Sequence, residues 1–234
     1  MTDNNLQSAI ASALQQNFYK ELRPSRGVFQ ADVYLVNVDD QLAVVKDFSR
    51  RPWWSRVLVC RGLIKREVSV LTHFADSGFV PQYYGLISGP SGRDMFAMEF
   101  LDGEHPGVEN RGRWPQAYAQ TQQFLAMFHQ AGYAHNDFRR ANILVQPDGE
   151  MRFFDFASAM RKPQSLKWLL FLKSWLVNYL QGADRASLLK MKPDLAGEPL
   201  TEAEIHSLRK PWLVRVLRYI WANGINKPIL RRFK

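Results

Sequence analysis

The feature that most constrains this chain is the run His135-Asn136-Asp137-Phe138-Arg139-Arg140-Ala141-Asn142, followed thirteen residues after Asn142 by Asp155-Phe156-Ala157. Before it, residues 114–130 carry Ala117, Phe124, Leu125 and Phe128 on one side of an amphipathic helix that Gly132 ends. After it, residues 143–145 and 151–154 flank Pro147-Asp148-Gly149, the pattern of a short hairpin. A helix, a loop and a hairpin in that order return Asp155 to the loop presenting Asp137 and Asn142. Two carboxylates and a carboxamide then converge at one mouth.

Upstream the pattern is strand-rich. Residues 4–20 read as a short helix ending before Pro24. Residues 31–38 and 41–48 alternate apolar and polar side chains around Asp39-Asp40, a two-residue turn. A helix is expected over 63–75, with Ile64, Val68 and Leu71 at helical spacing, stopping near Ser77-Gly78. Strands follow over 82–88 and 94–101, separated by Gly89-Pro90-Ser91-Gly92. The lobe boundary falls in the loop from Asp102 to Gly107.

Downstream the chain is helical: 165–181 closing at Gly182, a capping box at Thr201-Glu202-Ala203-Glu204, and a helix from Pro211 to Asn223-Gly224. Trp168, Leu169, Leu172 and Leu176 are expected in the core of this half. The fold class is therefore α+β, with two lobes: a strand-rich one over 1–102 with one main helix, and a shortened helical one over 103–234 that holds the constellation. Together they read as one domain.

Composition excludes some classes. With 46% hydrophobic and 23% charged residues, the chain is not disordered. Cys60, the single cysteine, cannot support a disulfide framework, suits a reducing cytoplasm and reads as a small buried hydrophobe. The N-terminus lacks the features of a signal peptide, and the most apolar run, 168–172, is too short to span a bilayer. The net charge of +9 is segregated. Segments 48–66, 161–180 and 205–234 hold six, four and eight Lys and Arg and no acidic residue, whereas the remainder is net negative. A basic surface of this kind suits anionic lipid, nucleic acid or a phosphorylated substrate.

Hard oxygen donors at one mouth fit Mg²⁺, which binds through a few carboxylates and keeps positions for water and phosphates. Asn142 and Asp155 are the candidate metal ligands. Asp137 would orient an acceptor hydroxyl and take its proton, and Arg139 would reach a transferring phosphoryl group.

These residues resemble the protein-kinase-like superfamily: His135, Asp137 and Asn142 match its H-x-D-x-x-x-x-N loop, and Asp155-Phe156 its D-F-G motif. Leu42-Ala43-Val44-Val45-Lys46 is similar to its V-A-I-K strand, and the likeness covers about 30–157. It implies ATP as a cofactor with Mg²⁺, Lys46 on the α- and β-phosphates, and Glu67 as the ion-pair partner of Lys46. The glycine-rich loop is reduced to Ser25-Arg26-Gly27-Val28-Phe29-Gln30-Ala31, where Gly27 and Arg26 would cradle phosphate. The motif glycine is Ala157, the arginine before the catalytic aspartate is Asn136, and no A-P-E motif follows.

The short second lobe is similar to the minimal branch, RIO-type kinases and bacterial lipopolysaccharide-core (heptose and Kdo) kinases. Trp53-Trp54 among arginines, and Trp212, Tyr219 and Trp221 among the cations of 205–234, favour the lipopolysaccharide side, at the cytoplasmic face of the inner membrane. A RIO-like protein kinase or ATPase, in which the same cations would meet RNA, is the alternative, and a non-catalytic nucleotide-binding regulator the second. The acceptor's identity and the oligomeric state stay open.

Overall fold

The structure, a computed structural model, describes residues 3–16, 18–25, 27–89, 92–163 and 169–208. The chain forms two compact units, Met1–Gly197 and Glu198–Lys234. The first unit runs α1 (Asp3–Gln15), β1 (Tyr19–Arg23), β2 (Asp32–Val38), β3 (Gln41–Asp47), α2 (Trp53–Ser55), a π-helical turn (Arg56–Cys60), α3 (Arg61–His73), β4 (Tyr83–Gly89) and β5 (Gly92–Glu99). It continues with α4 (Ala117–Gln130), β6 (Tyr133–Ala134), β7 (Ile143–Val145), β8 (Met151–Phe153), β9 (Met160–Arg161) and α5 (Leu169–Ala196). This is the two-lobed, kinase-like α+β architecture expected from the sequence.

Five strands form one antiparallel sheet in the order β1-β2-β3-β5-β4. The β2–β3 hairpin closes at Asp39 and Asp40, whose φ values of 49° and 64° suit a two-residue turn. Side chains alternate across the sheet. Tyr34, Val36, Ala43 and Val45 pack under Leu6 and Ile10 of α1. Val33, Val44, Phe96 and Met98 face the other way, into the larger core shared with α3 and α4. Burial on both faces gives β3 five consecutive buried residues, ending in Lys46 and Asp47.

Three expectations need correction. The first helix stops at Gln15, and Tyr19–Arg23 adds an edge strand whose polar residues look outward, which hid it. The helix over 165–181 does not close at Gly182 but continues to Ala196. Nothing lies within 4 Å of a Cβ built at Gly182, so it costs only about 1 kcal/mol of helix propensity. The stripe Gln181, Asp184, Leu188, Met191 and Leu195 is buried at three- and four-residue spacing and outweighs that cost. Leu172 and Leu176, expected in the core, are 59% and 37% exposed beside exposed Trp175 and Tyr179, because α5 turns its later stripe inward. Trp168 and the side chain of Leu169 lie outside the described residues.

Half of the cations in the basic segment 48–66 are tied up within the chain. Arg51 pairs with Asp32 at 2.6 Å, and Arg56 and Arg61 share Asp94 at 2.9 and 3.2 Å. Cys60 is buried, as expected. Among the described residues no helix is long and apolar enough to cross a membrane.

In the second unit, α6 (Glu202–Ser207) begins at the expected capping box, in which Thr201 Oγ1 accepts from the Glu204 backbone N–H and the Thr201 N–H donates to Glu204 Oε2. The helix expected from Pro211, and Trp212, Tyr219 and Trp221, lie outside the described residues.

Candidate active site

Strand β3 delivers Lys46 to the cleft on the same face as Val44. Helix α3 brings Glu67 to it, and the two residues are only 6% and 1% exposed. Lys46 Nζ donates to Glu67 Oε1 at 2.6 Å and to Asp155 Oδ1 at 3.2 Å. Residues 46 and 67 thus meet as expected, and residue 155 joins them from 109 positions downstream.

The electrostatics follow from this geometry. Burial opposes the Lys46 charge, but the Glu67 and Asp155 carboxylates outweigh it and hold its pKa above the ordinary lysine value. Burial pushes Glu67 above the usual carboxylate range, against the pull of Lys46. Lys46 holds Asp155 below that range, against burial and with help from Arg23. Asp155 is therefore an anion at neutral pH, positioned next to a fixed cation.

The two aspartate-bearing loops are anchored by the residues that follow them. Phe138 and Phe156 are both buried, and both approach Phe124 of α4 at 6.3 Å between centroids. Phe124 in turn stacks on Phe153 of β8 at 4.0 Å and 7°. His135 is fully buried between Phe138 and Phe156, at 5.5 and 5.1 Å. Neither of its ring nitrogens has a hydrogen-bond partner among the described residues, and burial pushes its pKa below the ordinary histidine value. Its side chain works as a neutral aromatic spacer. Asp155 itself adopts φ 64°, a left-handed conformation, whereas Ala157 needs no positive φ and tolerates its Cβ.

Asn142 Nδ2 donates to the Asp137 carbonyl at 2.9 Å and to Asp137 Oδ2 at 3.2 Å. These bonds fix the amide and leave its oxygen without a hydrogen-bond donor among the described residues. Arg139 Nε lies 3.2 Å from Asp137 Oδ2. A carboxylate and a carboxamide oxygen are hard donors suited to Mg²⁺.

Asp184 of α5 was not anticipated. Its carboxylate accepts the backbone N–H groups of His135 at 2.7 Å and Asn136 at 2.9 Å, and lies 3.2 Å from His129 Nε2. It holds the catalytic-type loop by its backbone, with Asn136 at φ 63°. The first acid after a stretch, 165–183, with no acidic residue was the available signal.

A cleft of about 270 Å³ opens between the five-stranded sheet and the segments around Asn142 and Asp155, lined by Val33, Val44, Met98, Leu101, Leu144 and Phe154 on its apolar side and by Lys46, Asn142, Arg139 and Asp155 on its polar side. Arg23, also unanticipated, lines it from β1. The chain leaving the cleft is tied down by paired backbone bonds between Glu104 and Val145, both at 2.9 Å. Gly103 is required there, since a Cβ would lie 2.6 Å from the Val145 carbonyl.

The glycine-poor loop is shaped by side chains. Arg51 reaches both Asp32 and Ser25, Ser25 N–H donates to Asp32 Oδ1 at 2.8 Å, and Ser55 Oγ donates to the Val28 carbonyl. Gly27 begins its turn, accepting from Gln30 N–H at 3.2 Å. Arg26 lies outside the described residues.

Residues 21–134 match the phosphotransferase enzyme family, APH. Comparison with curated proteins gives no match. The family match spans β1 to β6, with Lys46 and Glu67 inside it, and stops one residue before His135. It supports a kinase-like phosphotransferase acting with a nucleotide substrate, and it does not separate the lipopolysaccharide-core branch from the RIO-type branch.

Proposed function

We propose that this protein transfers the γ-phosphoryl group of ATP to a hydroxyl of a lipopolysaccharide-core sugar at the cytoplasmic membrane face, with residues 1–102 as its nucleotide-binding lobe and 103–234 as its helical lobe. The observation that carries the reading is the convergence of the buried Lys46–Glu67 pair with Asp155 beside a cleft that Asn142 and Arg139 also line.

In this reading Val33, Val44, Met98 and Phe154 take the adenine by apolar contact. Lys46, fixed in place by Glu67, binds the α- and β-phosphates, with Gly27 and Arg26 as the further phosphate-binding residues. Magnesium held by Asp155 and the Asn142 oxygen would supply charge neutralisation on the phosphates. Asp137, oriented by Asn142, accepts the proton of the attacking hydroxyl. Arg139 offsets charge that develops on the transferred group.

The acceptor rests on a surface argument. Trp53, Val57 and Leu58 are 71%, 51% and 75% exposed, and Trp54 packs edge-on against exposed Phe29 of the glycine-poor loop. An exposed apolar patch at the glycine-poor loop suits a shallow membrane-surface contact near a lipid-linked acceptor. The test is the phosphate content and mass of core lipopolysaccharide from a strain lacking the protein. Loss of one phosphate, restored by the wild-type gene and not by Asp137→Asn, is expected. An unchanged core would eliminate this acceptor while leaving phosphotransfer itself standing.

A further inference from the structure

A second cavity, of about 320 Å³, lies away from the cleft, between α3 and the β6–β9 pair. Lys65, Arg66, Arg161 and Lys173 line it, and no acidic residue does. Several arginines elsewhere take carboxylates: Arg51 takes Asp32, Arg56 and Arg61 share Asp94, and Arg111 and Arg140 share Asp194. None of the four cavity cations has a carboxylate within ion-pair distance among the described residues. Their gathering is structurally organised. Gly62, Lys65, Arg66 and Ser69 share one face of α3, and nothing lies within 4 Å of a Cβ built at Gly62. Arg161 stacks over the Tyr133 ring at 5.1 Å, and Ser69 Oγ sits 3.3 Å from the Tyr133 hydroxyl, giving two hydroxyls beside the cations.

We propose that this cavity binds a phosphate group, with Arg161, Arg66 and Lys65 as its charged ligands. Four like charges around one cavity repel each other, and a dianion reverses the sign of that interaction. Arginine forks and hydroxyls together match phosphate oxygens. The bound group ties α3, where Arg66 precedes Glu67, to β9, which follows Asp155. The site is separate from the nucleotide cleft, and its test does not depend on catalysis.

The experiment is calorimetric titration of inorganic phosphate, and separately of glucose 6-phosphate, into the full chain saturated with a non-hydrolysable magnesium nucleotide to block the cleft. Saturable binding is expected, weakened at least tenfold in Arg161→Gln and in Lys65→Gln, with melting temperature and nucleotide affinity unchanged. Binding of both ligands supports a site for free phosphate. Binding of glucose 6-phosphate alone supports a site for phosphate carried on a sugar. No saturable binding of either, or binding unaltered in both variants, overturns the proposal. If either variant melts early, Lys173→Gln replaces it. Should the nucleotide itself fail to bind, the proposed function falls, and titration of the nucleotide-free chain still reads this site through the same variants.

Discussion

Helix α3 presents two adjoining regions of opposite character. At Glu67 it enters a site where opposite charges meet within the chain: Lys46 of β3 is held by Glu67 and by Asp155, largely out of water. At Lys65 and Arg66, the two preceding residues, it lines a cavity of unmatched cations with Arg161 and Lys173. Charges neutralised within the chain fix geometry before any ligand arrives, whereas like charges left together cost repulsion until something outside the chain joins them. Substitutions in the first region should therefore disturb structure or turnover by themselves, and those in the second only when an anion is present.

The largest effect is expected below the matched region. Phe124→Ala removes the ring on which Phe138, Phe153 and Phe156 converge and should cost about 3–5 kcal/mol in denaturant unfolding. A loss under 1 kcal/mol would show that the aspartate loops are anchored elsewhere. Next is Asp184→Ala, which strips the acceptor from the buried His135 N–H and the part-buried Asn136 N–H; a loss of about 3 kcal/mol is expected, together with lower turnover. Retained turnover at full stability would remove Asp184 from the positioning of the loop. Glu67→Gln should leave the melting temperature within a few degrees, since Asp155 still holds Lys46, yet lower turnover up to about a hundredfold through misplacement of the ammonium. Wild-type turnover in this variant would separate Lys46 from the reaction. The smallest effect is that of Lys65→Gln, within about 0.5 kcal/mol and without change in turnover when phosphate is absent. A marked loss in the absence of phosphate would dissolve the contrast between the two regions.

What could be read from the sequence follows the same division. Asp137, Asn142 and Asp155 stood out because polar residues at fixed spacing between a helix and a hairpin have few purely local uses, whereas Lys46 and Glu67 came only from the resemblance to the kinase-like superfamily. The β2–β3 hairpin and the β7–β8 hairpin were legible from their turn residues. Asp184 was not, because its role is to accept backbone N–H groups almost fifty residues away, and no local pattern records that. The length of α5 was misread because Gly182 is a helix stop only where packing does not oppose it, and the buried stripe through Leu188 and Leu195 does. Arg51, Arg56 and Arg61 looked free because their partners Asp32 and Asp94 lie outside the segment 48–66. The glycine-poor loop could not be interpreted without seeing Arg51 and Ser55 hold it.

The central claim is that Asp155 and Asp137 divide metal-dependent nucleotide binding from proton removal. Calorimetry with Mg-ATP on the Asp155→Asn and Asp137→Asn proteins, paired with a phosphoryl-transfer assay, tests it most directly. The account predicts that Asp137→Asn binds Mg-ATP as the wild type does and transfers at least a hundredfold more slowly, while Asp155→Asn loses magnesium-dependent binding as well as transfer. Undiminished transfer by either variant, or equal loss of nucleotide binding in both, would contradict it.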